Sequence, residues 1–277
     1  MEKLSARLRG HAAMLLFSAW VAGSVSLGAQ VANDLAPLAF NAVRFWVAAA
    51  LIGLALLAGR GISRDAFRSS WRYGVLGGLF GAYFVLMFEG LKTAEPVSAA
   101  AVFTLTPVIS ACFGWVLLRQ VTTPRMALAL VIGACGAVWV IFRADIAALR
   151  AFEIGRGEIV YFVGCICHAI YTPLIRKLNR GEPALVFTLG TLLGGGVVLS
   201  VFGARDLLST SWSTLPPMVW FTLAYVAVFA SAASVWLLQT ATLHLPSAKV
   251  MAYTYLVPSW VIIWEAAQGR ELPSVWV

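Results

Sequence analysis

Nine stretches of about 20 consecutive apolar residues follow one another through this chain, at about 11–30, 36–58, 73–91, 96–117, 125–142, 158–176, 183–202, 217–240 and 246–265. A helix of about 20 apolar residues crosses the ~30 Å hydrocarbon core of a bilayer. A soluble core cannot absorb such runs repeated along the whole chain. Composition agrees, because 61% of the 277 residues are hydrophobic and only 12% are charged, against about 25% charged in soluble domains. The expected fold class is therefore all-α, a polytopic membrane protein. Leu272-Pro273-Ser274-Val275-Trp276-Val277 reads as the start of a tenth span that is incomplete in this chain. The first run is too long for a signal peptide and ends without an A-x-A site, so it is expected to be a retained first span.

The formal net charge is +8. The basic residues form short clusters between apolar runs, with no basic stripe and no nucleic-acid motif, so nucleic acid is not an expected partner. The positive-inside rule accounts for the pattern. With the N-terminus inside, the inner segments carry 13 Lys and Arg, among them Lys3, Arg7, Arg9, Arg60, Arg64, Arg68, Arg72 and Arg176. The outer loops carry six, namely Lys92, Arg143, Arg150, Arg156, Arg205 and Arg270. The expected placement is a bacterial inner (plasma) membrane, crossed many times, with a cytoplasmic N-terminus. Cys112, Cys135, Cys165 and Cys167 all lie inside apolar runs without zinc spacing and read as packing residues.

One pattern occurs twice. Around the fourth run the chain reads Pro96-Val97-Ser98-Ala99, then Thr104-Leu105-Thr106-Pro107, then Arg119-Gln120. Around the ninth it reads Pro246-Ser247-Ala248, then Thr254-Tyr255-Leu256-Val257-Pro258, then Arg270-Glu271. Each has a loop proline, a small residue, a mid-span proline and a basic-polar pair twelve residues later. Five spans per half is an odd number, so the second half enters the bilayer inverted, an architecture of transporters that bind substrate near the midplane. The expected halves are residues 1–145 and 146–277.

On these residues, together with Trp20, Pro37 and Arg44, the chain resembles the drug/metabolite transporter superfamily in its EamA-type form. It looks most like the YddG-type exporters of aromatic and other amino acids. The resemblance implies ten helices in two inverted five-helix repeats, both termini cytoplasmic, and alternating access about a central cavity. The family usually has a Glu where this chain has Gln120, whereas Glu271 keeps it in the second half.

The matched prolines Pro107 and Pro258 are the candidate hinges. Proline removes a backbone donor and frees the carbonyl four residues back, here those of Phe103 and Thr254, and the bend lets one half-helix move against the other. A static kink is the alternative. Phe103 and Thr104, beside the first proline, are candidate substrate contacts. In the sixth span Tyr161, Gly164, His168 and Tyr171 share a helical face, and an intramembrane ionisable group marks a bundle interior or cavity. His168 and Tyr171 are candidate contacts, with a structural histidine as the alternative. Trp20 in the first span, Tyr83 and Met87 beside Phe80 in the third, Trp236 and Gln239 in the eighth and Tyr253 in the ninth complete the set. Packing or interface-belt roles remain open for the aromatics. Gly74, Gly77, Gly78, Gly81 and Gly194 to Gly196 read as close helix packing. Glu89 and Glu265 lie near span ends, where long charged side chains often snorkel, and are weak coupling-ion candidates, whereas Arg44 lies inside the second span.

Neither HExxH, GxSxG nor a Walker A loop occurs, so an enzyme is not expected, and neither cofactor nor metal is implied. The sequence reading is a secondary transporter that exports amino acids or related small metabolites. The alternative is an exporter or facilitator of other compounds, such as sugars, nucleotides or cationic drugs. Monomer and homodimer both stay open.

Overall fold

The computed structural model describes residues 2–59, 64–142, 145–151 and 154–270. Among these, every regular element is helical. Nine helices are long and apolar enough to span a membrane: α1 (Leu8–Val31), α2 (Pro37–Leu57), α3 (Trp71–Gly90), α4 (Pro96–Leu118), α5 (Pro124–Ile141), α6 (Arg156–Leu178), α7 (Ala184–Phe202), α8 (Pro217–His244) and α9 (Ser247–Ala267). They coincide with the nine apolar runs to within a few residues. The start of a tenth span at Leu272 lies outside the described residues.

Local chemistry sets the ends of the spans. Pro37, Pro96, Pro124 and Pro217 each open a span, where the missing N–H costs nothing because the first turn has no partner for it. Thr123 caps α5 by accepting from the Met126 amide at 3.3 Å. Helix α4 ends on Arg119, whose left-handed φ of 54° lets the Gln120 amide reach back to Gly114 O at 3.1 Å. The Gln120 Oε1 then accepts from the Ser247 amide, also at 3.1 Å, which caps the start of α9. Only an acceptor is needed at that point, and an amide supplies it.

Three spans are not continuous α-helices. Helix α4 breaks between Phe103 and Thr106. Helix α9 is α-helical over Ser247–Met251, tightens to a 3-10 helix over Ala252–Leu256 and resumes at Val257. Helix α8 contains a π-helical turn at Val228–Ala233.

Packing brings α3 against α6 and α7, α2 against α7, and α1 against α8 and α9, while the second part of α4 lies on α6 and on the start of α9. Small residues make this possible, because lipid gives no hydrophobic drive for apolar helices to associate and close contact has to supply the attraction. A Cβ on Gly77 would lie 2.1 Å from the Gly195 amide nitrogen, and one on Gly164 would lie 3.1 Å from the Tyr83 carbonyl. Gly74, by contrast, has nothing within 4 Å of such a Cβ. Of the two overlapping pairs in α3, Gly74 with Gly78 and Gly77 with Gly81, the second is the one with close neighbours. The outward faces stay apolar and exposed, as at Leu54, Leu57, Val201 and Phe202, and belong against lipid.

Gly77→Ala is expected to cost about 1–3 kcal/mol through overpacking against the Gly195 backbone, whereas Gly74→Ala is neutral or slightly stabilising. Thermal unfolding of the purified variants checks the contrast. Equal melting temperatures for the two would mean that the α3–α7 approach is not so tight.

Candidate functional site

Three helices bring an aromatic cage to the middle of the bundle. Helix α3 contributes Phe80, Tyr83 and Met87, one per turn on its inward face, with Phe84 beside them. Helix α6 contributes Tyr161, His168 and Tyr171, and Gly164 lets it approach the α3 backbone. Helix α4 supplies Phe103, the last residue before its break. Each of these side chains is at most 2% exposed.

His168 is at the centre. Its ring lies 4.5 Å from Tyr83 and 5.4 Å from Phe103, both edge-on, then 5.6 Å from Phe80 and 6.0 Å from Tyr171. Tyr83 Oη and Tyr161 Oη are 3.2 Å apart. The His168 Nδ1 is buried and has no hydrogen-bond partner. An unmet polar atom in such surroundings costs about 1–3 kcal/mol, and a ligand able to hydrogen-bond there would recover it.

Polar groups border the cage. Gln239 on α8 accepts from Thr188 Oγ1 at 2.7 Å and donates to Tyr171 Oη at 3.1 Å and Thr191 Oγ1 at 3.2 Å. Its amide therefore joins α6, α7 and α8. Arg44, the charge inside the second apolar run, is held within α2 with 0% exposure. Its Nε donates to Ser231 Oγ at 2.6 Å, Nη2 to Ala230 O at 2.8 Å and Nη1 to Asn41 Oδ1 at 3.3 Å. The guanidinium carbon sits 3.5 Å above the centre of the Phe84 ring. Ala230 and Ser231 belong to the π-turn of α8, and such turns leave backbone groups short of partners. The sequence shows an arginine inside an apolar run, but the π-turn that receives it has no sequence signal.

The expected hinges coincide with the breaks. Pro107 follows the interruption of α4 and Pro258 follows the 3-10 stretch of α9. The carbonyl that each proline frees is taken locally. Phe103 O accepts from Thr106 Oγ1 at 2.6 Å, and Thr254 O accepts from the Val257 amide. Thr104 turns its hydroxyl to its own backbone, at 2.6 Å from Ala101 O.

Other expected contacts lie outside the cage. Trp20 is half-buried, its ring 5.7 Å from Phe229. Tyr253 Oη meets His11 Nδ1 at 2.7 Å. Trp236 is 42% exposed on the surface of α8. Glu89 pairs with Lys92 at 2.7 Å and is itself 42% exposed. Glu265 is buried and accepts from Ser26 Oγ and, at 3.2 Å, from Arg270 Nη1. Among the described residues no three His, Cys, Asp or Glu side chains could hold a metal ion.

Polar ties hold the bundle at both ends. On the side where α1 begins, Arg72 at the start of α3 pairs with Glu182 at 2.7 Å and donates to Leu178 O at 2.5 Å. On the opposite side Ser98 Oγ donates to Glu158 Oε1 at 2.8 Å, tying α4 to α6. A cleft of about 290 Å³ opens between the α4–α5 and α8–α9 connections, lined by Gln120, Thr123, His244 and Lys249 among others.

A mid-bundle cage of rings and two helices broken just before prolines can be compared with known proteins. The model of the EamA-like transporter family matches this chain twice, at residues 8–142 and 155–276. The chain belongs to the EamA-like transporter family. This transporter is 28% identical over 262 residues to YyaM of Bacillus subtilis (strain 168), described as an uncharacterized transporter, and the match covers 94% of this chain and 86% of that one. A crystal structure of another protein superposes with a TM-score of 0.72 at 20% identity, covering 98% of this chain and 91% of the other. At that identity it establishes the fold alone. The protein is a multi-pass membrane transporter built from two family repeats.

The Arg72–Glu182 tie gives a pH test. Burial opposes ionisation of Glu182, but the Arg72 guanidinium and the Arg180 amide outweigh it and hold the carboxyl below its ordinary value of 4.5. A depressed carboxyl contributes stability that is complete above the unfolded value and is lost as pH falls through the folded one. Glu182→Gln is expected to destabilise the protein at pH 7 by about 2 kcal/mol. That is less than the ~3–5 kcal/mol of a deeply buried pair, because water screens a span end. The gap to wild type should begin to narrow only below pH 4.5 and vanish below the lower folded value. Melting curves stepped from pH 7 down to roughly pH 3 test this, and a gap that does not narrow across that range would show that the pair is not its cause.

Proposed function

We propose that this transporter is a secondary carrier that exports aromatic and other neutral amino acids by alternating access, as the YddG-type exporters do. The observation that carries the reading is His168, fully buried in mid-bundle with an Nδ1 that lacks a hydrogen-bond partner and rings from three helices around it. Aromatic walls accept apolar side chains of varied shape, and a few polar groups suffice to orient them.

Motion in this scheme is a rocking of two inverted halves, residues 1–145 against 146–277, about the cage. The breaks before Pro107 and Pro258 are the bends, because their backbone groups are already bonded within one turn and need no new partners when the angle changes. The end ties act as alternating latches, one side releasing while the other holds. The excess of Lys and Arg on the side where α1 begins supports an N-terminus in the cytoplasm of a bacterial inner membrane.

Counterflow in proteoliposomes tests the assignment. Loaded phenylalanine, tryptophan, threonine or methionine should drive saturable entry of labelled phenylalanine. Absence of entry for every amino acid, from a folded preparation, would refute the substrate class. Tyr83→Leu and His168→Phe are expected to weaken apparent affinity about tenfold, the loss of ~1.4 kcal/mol of contact. Unchanged affinity in both would move the site elsewhere. Pro107→Ala and Pro258→Ala should slow exchange several-fold with little change in affinity, and wild-type rates in both would eliminate the hinge.

A further inference from the structure

The reading of the cage leaves one buried group unused. Arg44 lies near the middle of α2 with 0% exposure, yet every acceptor it has is neutral: a hydroxyl, a backbone carbonyl and an amide oxygen. Among the described residues no carboxylate comes within ion-pair distance of it. Among the described residues the buried acids are Glu158 and Glu265, and both are engaged at span ends with Ser98, Ser26 and Arg270. Glu158 is also ten residues from His168 along α6, about 15 Å at the helical rise.

A lone guanidinium buried at membrane depth is costly, and neutral acceptors recover only part of its lost hydration. Three of its five N–H groups have acceptors, which leaves two to receive a further partner. The planar fork matches a carboxylate with two parallel bonds. Its position relative to the cage is direct. The guanidinium covers Phe84, whose ring is 4.7 Å from both Phe80 and Tyr83, and Tyr83 packs edge-on to His168.

We propose that Arg44 receives the carboxylate of the substrate, so that the carrier selects apolar and aromatic monocarboxylates whether or not they bear an α-amino group. The inference rests on the cage being the substrate site. It departs from an amino acid carrier in one respect: among the described residues nothing acidic borders the cage to recognise an ammonium, so the amine is tolerated and not required. A carboxylate that engages the fork also competes with Ala230 and Ser231, and so loosens α2 from the π-turn of α8 as substrate binds.

The test uses the purified full chain and three probes: 3-phenylpropionate (acid without amine), phenethylamine (amine without acid) and phenylalaninamide. Thermal stabilisation in detergent reads binding directly, and competition with phenylalanine counterflow reads the transport site. The acid should stabilise the wild type and compete within about threefold of phenylalanine itself, while the amine and the amide do neither. Arg44→Gln should erase the preference for the acid. Arg44→Lys, which keeps the charge without the fork, should retain it with roughly tenfold weaker binding. A wild type that binds phenethylamine or phenylalaninamide as well as the acid would overturn the inference, as would folded Arg44→Gln that keeps the acid preference; in those cases Arg44 is only a structural tie. If phenylalanine is carried without any acid preference, the Arg44 inference alone fails. If 3-phenylpropionate binds through Arg44 but no amino acid is carried, the amino acid assignment alone fails. If none of the probes binds and phenylalanine is not carried, both fall.

Discussion

A bilayer offers no water to its interior, so each backbone and charged group in the spans must find a partner within the protein. The three irregular helices show how that demand is met. At the break of α4, the hydroxyls of Thr104 and Thr106 turn back to Ala101 O and Phe103 O. In α9 a run of 3-10 bonds keeps the carbonyls occupied. In α8 the π-turn is met by the guanidinium of Arg44 arriving from α2. Two of these solutions are local and one is made between helices. The local ones allow a bend without a new partner, whereas the third couples α2 to α8.

Close approach of the helices follows from the same scarcity of driving force. With lipid as apolar as the side chains, attraction comes from contact, and contact needs residues without bulk. Gly77 against Gly195 and Gly164 against the Tyr83 backbone bring α3 within reach of both α6 and α7. That approach is what sets His168 among Phe80, Tyr83, Phe103 and Tyr171. A wider α3–α6 spacing would leave the histidine with fewer rings and the cage unformed. The packing that stabilises the bundle and the geometry of the candidate site are thus one arrangement.

Several residues of the cage were legible from spacing alone. Tyr161, His168 and Tyr171 recur at helical intervals, as do Phe80, Tyr83 and Met87, and all face inward. Phe103 was marked by the proline four residues later. Trp20, Trp236 and Tyr253 were not brought to the cage, because an aromatic residue in a span can face lipid, a neighbour or a cavity with the same local pattern. Arg44 was underrated for the converse reason. A long cation inside an apolar run usually reaches for the interface, and its receiving turn on α8 is 186 residues away in sequence.

By itself the sequence determined the membrane as solvent, the nine spans, the repeated unit and the positions of the proline breaks. Each of these depends on residues near one another in the chain: run length, turn chemistry and the missing donor of proline. The tertiary structure decided which inward faces meet, which glycines lie at close interfaces and where the buried charge finds its acceptors. These depend on contacts between helices far apart in sequence, and a helical period states only that a face exists, not what it packs against.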